Sequence, residues 1–273
     1  MGVISPTEEV LVSVEDGVAT VTMNRPNELN ALTDEMLSGL GEIFYSISQD
    51  DDVKAVILTG AGRAFGAGGA SKVLAMPVMD RVRRDKDAKI TRKWWSVPLA
   101  AQLLNIYNCT KPTIAAINGI VVGVTVSIAS GCDIRIASDK ARFGLAFAGA
   151  SVVPDGGASY LLPRLIRIDR ALELFYSNRI IDANEALQIG MVTKVVPHEE
   201  LMQASRELAI KIAKGPTIAL ELGRRGLRLG LDNTLENQMF YETYAQSVAE
   251  ITDDFKEASQ AFRQKRKPIF TGT

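Results

Sequence analysis

One carboxylate stands apart in this sequence. From Phe143 to Pro163 the chain reads FGLAFAGASVVPDGGASYLLP, and Asp155 is the only charged residue in that window. Burial disfavours the charged form of a carboxylic acid, so an apolar, glycine-rich surround should raise the pKa of Asp155. Such a group is suited to carrying a proton near neutral pH. The position has a second reading. Asp before a helical run is a preferred N-cap, and a helix starting near Gly156 would use Asp155 in that way. The two roles are compatible. Two further segments place permissive backbone at a strand-to-helix switch: Phe65–Lys72 (FGAGGASK) and Asn118–Val124 (NGIVVGV). Small side chains there let a ligand reach the backbone, and free N–H groups at a helix start stabilise negative charge. Two such groups converging on one point would make an oxyanion hole. The same glycines also describe ordinary turns, and spacing alone leaves that open.

The rest of the composition removes competing chemistries. The 273 residues contain one His and two Cys. A Ser-His-Asp or Cys-His site would have to use His198, which sits in a polar Val-Pro-His-Glu-Glu stretch and reads as an exposed helix-cap residue. Cys109 and Cys132 form no disulfide framework and no C-x-x-C, which fits a reducing cytoplasm and argues against structural zinc. Gly60-Ala61-Gly62 follows a strand, but the next glycine is Gly66, so the spacing is not that of a dinucleotide fingerprint. Lys72 lacks the spacing of a phosphate-binding P-loop. With 31 Lys+Arg against 32 Asp+Glu, there is no footprint for nucleic acid or an anionic membrane. The N-terminus lacks the basic and apolar regions of a signal peptide. Pro112 to Cys132 is free of charge and long enough to span a bilayer. Asn118-Gly119 breaks it, and a strand, a tight turn and a buried helix explain it better.

These residues need elements to position them. Val10–Val14 and Val18–Met23 alternate around Asp16-Gly17, which predicts a hairpin. Ala31–Ile47 has helical spacing with Thr33 as N-cap. Val53–Thr59 reads as a buried strand, 60–69 as a loop, Thr113–Ile117 as a strand, Val122–Ser130 as a helix and Asp133–Ala137 as a strand. The charged run 80–93 reads as a solvated helical face, and a helix continues from Trp94-Trp95 to about Tyr107. Later, Arg170–Tyr176, Ala183–Leu187 and Glu199–Ala213 read as helices, with a strand at Val192–Val196. Two or three more helices fill Thr217–Phe262. Strands alternate with helices early, which predicts an α/β core with parallel strands and a helical appendix.

The ordered motifs resemble those of the crotonase superfamily, the enoyl-CoA hydratase/isomerase family. They include Asn24-Arg25-Pro26, Leu29–Leu32, Val56–Phe65 (VILTGAGRAF), Lys111-Pro112 with Ala115–Gly119, Cys132–Ala137 (CDIRIA), Ala141–Gly144, Pro154–Gly157, Leu162–Leu165, Gly190–Val192 and the tail Lys265–Gly272. The resemblance covers nearly the whole chain. It implies an α/β fold: a ββα spiral core, over residues 1–200, with a C-terminal helical trimerisation region at 201–273. It implies an acyl-CoA substrate, coenzyme A as part of that substrate rather than a cofactor, and a homotrimer or hexamer. The oxyanion donors would be the N–H groups of Gly69 and Val124. Arg25, Ala67, Gly68, Ala70, Lys72, Phe147, Lys265 and Lys267 would line the substrate or CoA site, the last two from a tail that can reach a neighbouring subunit. Residues 73–100 would cover the acyl pocket. Trp94, Trp95, Phe147 and Tyr160 are aromatic candidates for its wall, beside the plain reading that most of them pack in the core.

Departures from the family pattern narrow the chemistry. Hydratases of this family carry two glutamates, at positions that are Ser127 and Phe147 here. Water addition needs groups to activate the water and deliver the proton. Neither Ser127 without a partner nor Phe147 does so. Asp155 matches the position where some isomerases of the family place their acid. A family dehalogenase has Asp there too, but it also needs a His, and none precedes Lys111. The second oxyanion position, usually Gly, is Val124, and Ala70 stands where Asp is common. The resemblance therefore implies an acyl-CoA isomerase. A hydratase lacking the glutamate pair and a non-catalytic acyl-CoA-binding protein remain as alternatives.

Overall fold

The computed structural model describes residues 3–69 and 98–273. Ala70, Lys72, the 80–93 run, Trp94 and Trp95 lie outside the described residues. Strands β1 (Val10–Glu15) and β2 (Val18–Met23) form the expected antiparallel hairpin, with Val10 opposite Met23. Helix α1 (Asp34–Gln49) buries Met36, Leu40, Ile43, Phe44 and Ile47 along one face. Its cap is Thr33, whose hydroxyl accepts from the Met36 N–H at 3.0 Å.

The next strands go to two sheets in turn. β3 (Ala55–Gly60), β5 (Thr113–Ile117), β7 (Ile134–Ser138) and β10 (Lys194–Val196) extend the hairpin into a six-stranded sheet, ordered β1-β2-β3-β5-β7-β10. All its pairings beyond the hairpin are parallel. β4 (Ala64–Gly66), β6 (Ile120–Val122), β8 (Arg142–Gly144) and β9 (Ile180–Asp182) form a second sheet in that order, antiparallel only at β8–β9. Each of the pairs β3–β4, β5–β6 and β7–β8 therefore crosses from one sheet to the other, which is the spiral expected of the resemblance.

The short strands depart from the sequence reading. The segment 60–69 is not all loop, because it holds β4. The helix expected at Val122–Ser130 is α3 (Val124–Gly131), and Ile120–Val122 before it is β6. Three residues are too few to show a period of two. His198 is also not an exposed cap. It lies half-buried in a 3-10 turn, with Nδ1 3.0 Å from Ser138 Oγ.

The large sheet is covered on both faces, which explains the uninterrupted apolar runs of its strands. Val56, Leu58, Ala115 and Ile117 face the core shared with α1 and the second sheet. The alternating Ala55, Ile57, Ile114 and Ala116 face outward and pack with Leu201, Ala209 and Ala213 of α7 (Leu201–Ala213). The helices between are α2 (Pro98–Tyr107), α4 (Ala158–Ile166), α5 (Ile168–Ser177) and α6 (Ala183–Gln188). Three follow α7: α8 (Thr217–Leu229), α9 (Leu235–Glu250) and α10 (Asp253–Gln264). Among the described residues no helix is long and apolar enough to cross a membrane.

One carboxylate ties α8 to the strands. Asp133 accepts from Arg224 Nε and from an Arg228 terminal nitrogen, each at 2.7 Å, and from the Thr113 N–H at 2.8 Å. Burial pushes the Asp133 carboxyl up, but the two guanidiniums outweigh it and hold the group below its usual range. A carboxylate depressed in the folded state adds stability above its unfolded pKa, and that stability is lost as pH falls through the folded value. Asp133→Asn leaves two arginines without their anion. Urea denaturation at pH 7 should show a loss of about 3 kcal/mol. The gap between variant and wild type should close on acidification below the ordinary Asp range.

Candidate active site

β4 and β6 lie side by side and parallel, so the segments leaving their carboxyl ends emerge together. Residues 67–69 follow β4, and Gly123 and Val124 follow β6. The two backbones touch. A Cβ on Gly68 (φ +85°) would sit 3.2 Å from the Val122 carbonyl oxygen, and one on Gly123 (φ +61°) would sit 3.6 Å from Gly68 Cα. A side chain on Gly68 would press on that carbonyl, one on Gly123 would meet ordinary contact, and both left-handed conformations favour glycine. The next residues, Gly69 and Val124, are thereby brought together. Val124 is the first residue of α3, so its N–H has no intrahelical acceptor. Gly69 bridges to Leu32 through the Gly68 carbonyl, which accepts the Leu32 N–H at 2.8 Å. Neither N–H finds an acceptor among the described residues.

Thr125 knits the two strand ends together. Its buried hydroxyl points at the carbonyls of Gly66 (2.5 Å) and Val122 (2.7 Å) and accepts from the Val122 N–H at 3.1 Å. Beneath it, two asparagines hold the turn that starts β4. Asn118 Nδ2 donates to the carbonyls of Gly60 and Gly62, at 2.8 and 2.9 Å. Asn30 Nδ2 donates to Ala61 and Ala64, at 2.9 and 2.7 Å.

Asp155 packs beside α3 and lines a cavity of about 1290 Å³ between α2, α3, α4 and α8. Leu103, Tyr107, Val153 and Leu222 give that cavity apolar walls, and Glu221, Arg224, Arg225, Arg228 and Asp232 line it as well. Asp155 stays exposed to that space, and the surrounding walls desolvate it in part, which raises its pKa above the ordinary value. Only its own backbone N–H pulls in the other direction. Asp155 is not a helix cap. α4 begins at Ala158 with Gly157 as N-cap and no side-chain cap bond. The Asp155 backbone carbonyl instead accepts from the Ala158 N–H at 2.9 Å and from Ser127 Oγ at 2.8 Å.

The remaining sequence candidates separate into groups. Ala67 and Gly68 flank Gly69 in the segment after β4. Arg25 is committed to the frame: its Nε pairs with Glu9 at 3.1 Å and its guanidinium donates to the Ala31 carbonyl at 2.8 Å. Phe147 is buried in the main core rather than on the cavity wall. Tyr160 is at the wall, with its hydroxyl on Asp232 and the Arg164 guanidinium 3.6 Å over its ring. Lys265 and Lys267 are exposed on the tail after α10, and that tail is held by Lys54, whose Nζ donates to the Thr271 carbonyl at 3.0 Å. Lys54 precedes β3, whereas Gly69 and Val124 follow the carboxyl ends of their strands. Neither lysine lines the cavity beside Asp155. Sequence reasoning missed Thr125 and the Ser127 bond, since both act through partners distant in sequence.

The arrangement offers two backbone N–H groups for an oxygen gaining negative charge, one of them at the positive end of a helix, and one carboxylate beside an apolar cavity. Such a site suits proton transfer next to a carbonyl. The sequence matches the model of the enoyl-CoA hydratase/isomerase family over residues 13–273. A 1,2-epoxyphenylacetyl-CoA isomerase of Escherichia coli K12 is 36% identical over 265 residues, 97% of this chain and 99% of that protein. A short-chain-enoyl-CoA hydratase of Clostridium acetobutylicum is 37% identical over 258 residues, 94% of this chain and 95% of that protein. The crystal structure of an enoyl-CoA hydratase from Bacillus anthracis superposes with a TM-score of 0.87 at 32% identity, covering 97% of this chain and all of that one (100%).

Thr125→Val keeps the shape of the side chain and removes the hydroxyl that joins β4 to β6. It leaves buried backbone groups unsatisfied, which costs about 1–3 kcal/mol. The variant should stay folded with a lower melting temperature. Its turnover should fall by roughly tenfold or more, because small misplacements of a donor are costly. Steady-state kinetics of the variant beside its thermal melt checks both.

Proposed function

The chain belongs to the enoyl-CoA hydratase/isomerase family, and from that premise we propose that it is an acyl-CoA isomerase with Asp155 as its single proton carrier. The observation that carries this reading is the set of groups at the site: one desolvated carboxylate, with Ser127 and Phe147 where the resemblance places the two hydratase glutamates. The relatives by themselves do not choose, since those of similar identity are named for isomerisation and for hydration.

The mechanism needs few parts. A 3-enoyl-CoA or related thioester binds with its carbonyl oxygen between the N–H groups of Gly69 and Val124, along the Ala67–Gly69 backbone. Those donors stabilise the enolate that forms when a proton leaves C2. Asp155 takes that proton. The electron pair moves through the C3–C4 double bond, and Asp155 returns the proton at C4. The double bond ends between C2 and C3, in conjugation, with no atom gained or lost. One base serves because both carbons lie along one face of a planar dienolate.

The cavity beside Asp155 is larger than a four-carbon acyl group needs and is walled by Leu103, Tyr107, Val153 and Leu222. That volume supports a bulky, apolar acyl group. Leu227, Leu235, Phe240, Tyr244 and Phe262 of the last helices and their connections are exposed, which supports self-association into a trimer or hexamer.

Asp155→Asn tests the base. Activity on a 3-enoyl-CoA should drop by roughly 10²–10⁴-fold in a variant that melts like the wild type. Retention of wild-type turnover would sink the assignment. Because the base must be ionised, kcat/KM should fall as pH drops through the Asp155 pKa, and the midpoint should lie above the ordinary carboxylate range. A panel of enoyl-CoA, dienoyl-CoA and epoxyacyl-CoA esters, with products identified by NMR, separates the readings. Hydration of a 2-enoyl-CoA at comparable rates would favour a hydratase, and binding without turnover across the panel would favour a non-catalytic protein.

A further inference from the structure

Asp155 is followed by Gly156 (φ +61°) and Gly157 (φ +89°), two residues that hold little conformation of their own. Its carboxylate has no ion-pair partner among the described residues, and Glu221, Arg224, Arg225, Arg228 and Asp232 line the same cavity without pairing to it. What holds the segment is contact with α3. Ser127, 1% exposed, donates its hydroxyl to the Asp155 backbone carbonyl at 2.8 Å. Gly156 packs on the same face: a Cβ there would sit 3.0 Å from each of Ser127 Cβ, Val124 Cγ2 and Leu103 Cδ1. Val124 and Ser127 are one turn apart on a single helix. That helix thus presents an oxyanion N–H at its first residue and grips the acid segment one turn later.

We infer that Ser127 is a positioning residue, whose hydroxyl sets the distance between the Asp155 carboxylate and the Val124 N–H and keeps that carboxylate against the apolar wall. The inference rests on Asp155 being the base.

The test compares Ser127→Ala, Ser127→Thr and Asp155→Asn in the full chain with a 3-enoyl-CoA. Ser127→Ala removes one hydroxyl and should melt close to the wild type. Its kcat should fall by about 10–100-fold, as expected for a misplaced catalytic group, while KM changes by less than about threefold. Its acid limb should move to lower pH, because a released Asp155 regains water. Ser127→Thr, which keeps the hydroxyl, should recover most of kcat and the wild-type pH profile. A Ser127→Ala enzyme with unchanged kcat and pH profile, beside an inactive Asp155→Asn, overturns the tether and leaves the base standing. So does a fall in kcat with an unmoved pH limb and no recovery in Ser127→Thr, which marks a purely structural serine. Wild-type activity in Asp155→Asn overturns the base, and this inference with it.

Discussion

The molecule depends on two backbones meeting without side chains between them. Gly68 reaches the backbone at Val122 and Gly123 because β4 and β6 are parallel neighbours and because it carries no Cβ, which would sit 3.2 Å from the Val122 carbonyl oxygen. That contact alone is weak, since glycine backbones are costly to order. Thr125 makes it specific. Its hydroxyl joins the Gly66 carbonyl to Val122 across a chain separation of 59 residues. Gly66 is itself packed on Thr125, with a Cβ there only 2.5 Å from the threonine methyl. The N–H groups of Gly69 and Val124 inherit their proximity from this joint, so a proposed reaction centre is set by strand pairing rather than by any side chain within it.

The second sheet would not exist without the asparagines below it. Its strands have three residues each, too short to be stable alone. The chain must reverse between β3 and β4, and the carbonyls of Gly60 and Ala64 at the ends of that turn are buried. Asn30, fully buried, and Asn118, 8% exposed, supply donors to four carbonyls of the turn. Buried carbonyls left unpaired would each cost more than a typical hydrogen bond contributes, so the asparagines act mainly by preventing a loss. The frame then extends outward. Asn30 Oδ1 accepts the Arg25 N–H at 2.8 Å, and Arg25 pairs with Glu9 at the start of the hairpin.

This layering explains what could be read from the chain and what could not. The hairpin, α1, β3, β5, β7 and the later helices announce themselves through periodicity, because each buries a face long enough to repeat. β4, β6, β8 and β9 do not, because three residues show no period. The isolation of Asp155 was legible, since charge is absent for many residues around it. Whether it capped a helix was not, because that turned on two glycines entering left-handed conformations and delaying α4 to Ala158. The parts played by Thr125 and Ser127 were illegible for a different reason. A hydroxyl on an apolar helix has many local partners, and only the fold reveals acceptors 59 and 28 residues away.

Asp133 and Asp155 show how far placement decides chemistry. Both are aspartates next to α3, Asp133 half-buried and Asp155 exposed to the cavity. Asp133 follows the end of that helix and meets Arg224 and Arg228, so its charge is held and its pKa falls. It is spent on fastening α8 to the strands. Asp155 faces the other end, meets apolar walls and its own N–H, and its pKa rises. A carboxylate paired with arginines is a poor proton carrier, because giving up its charge breaks the pairs. One that lacks such partners can take and return a proton with little rearrangement around it. Arg224 and Arg228 line the cavity that Asp155 lines, but they pair with Asp133 and leave Asp155 without an ion-pair partner among the described residues. The two environments push two identical residues apart in basicity, which fits one for holding structure and suits the other to the proton transfer proposed for it.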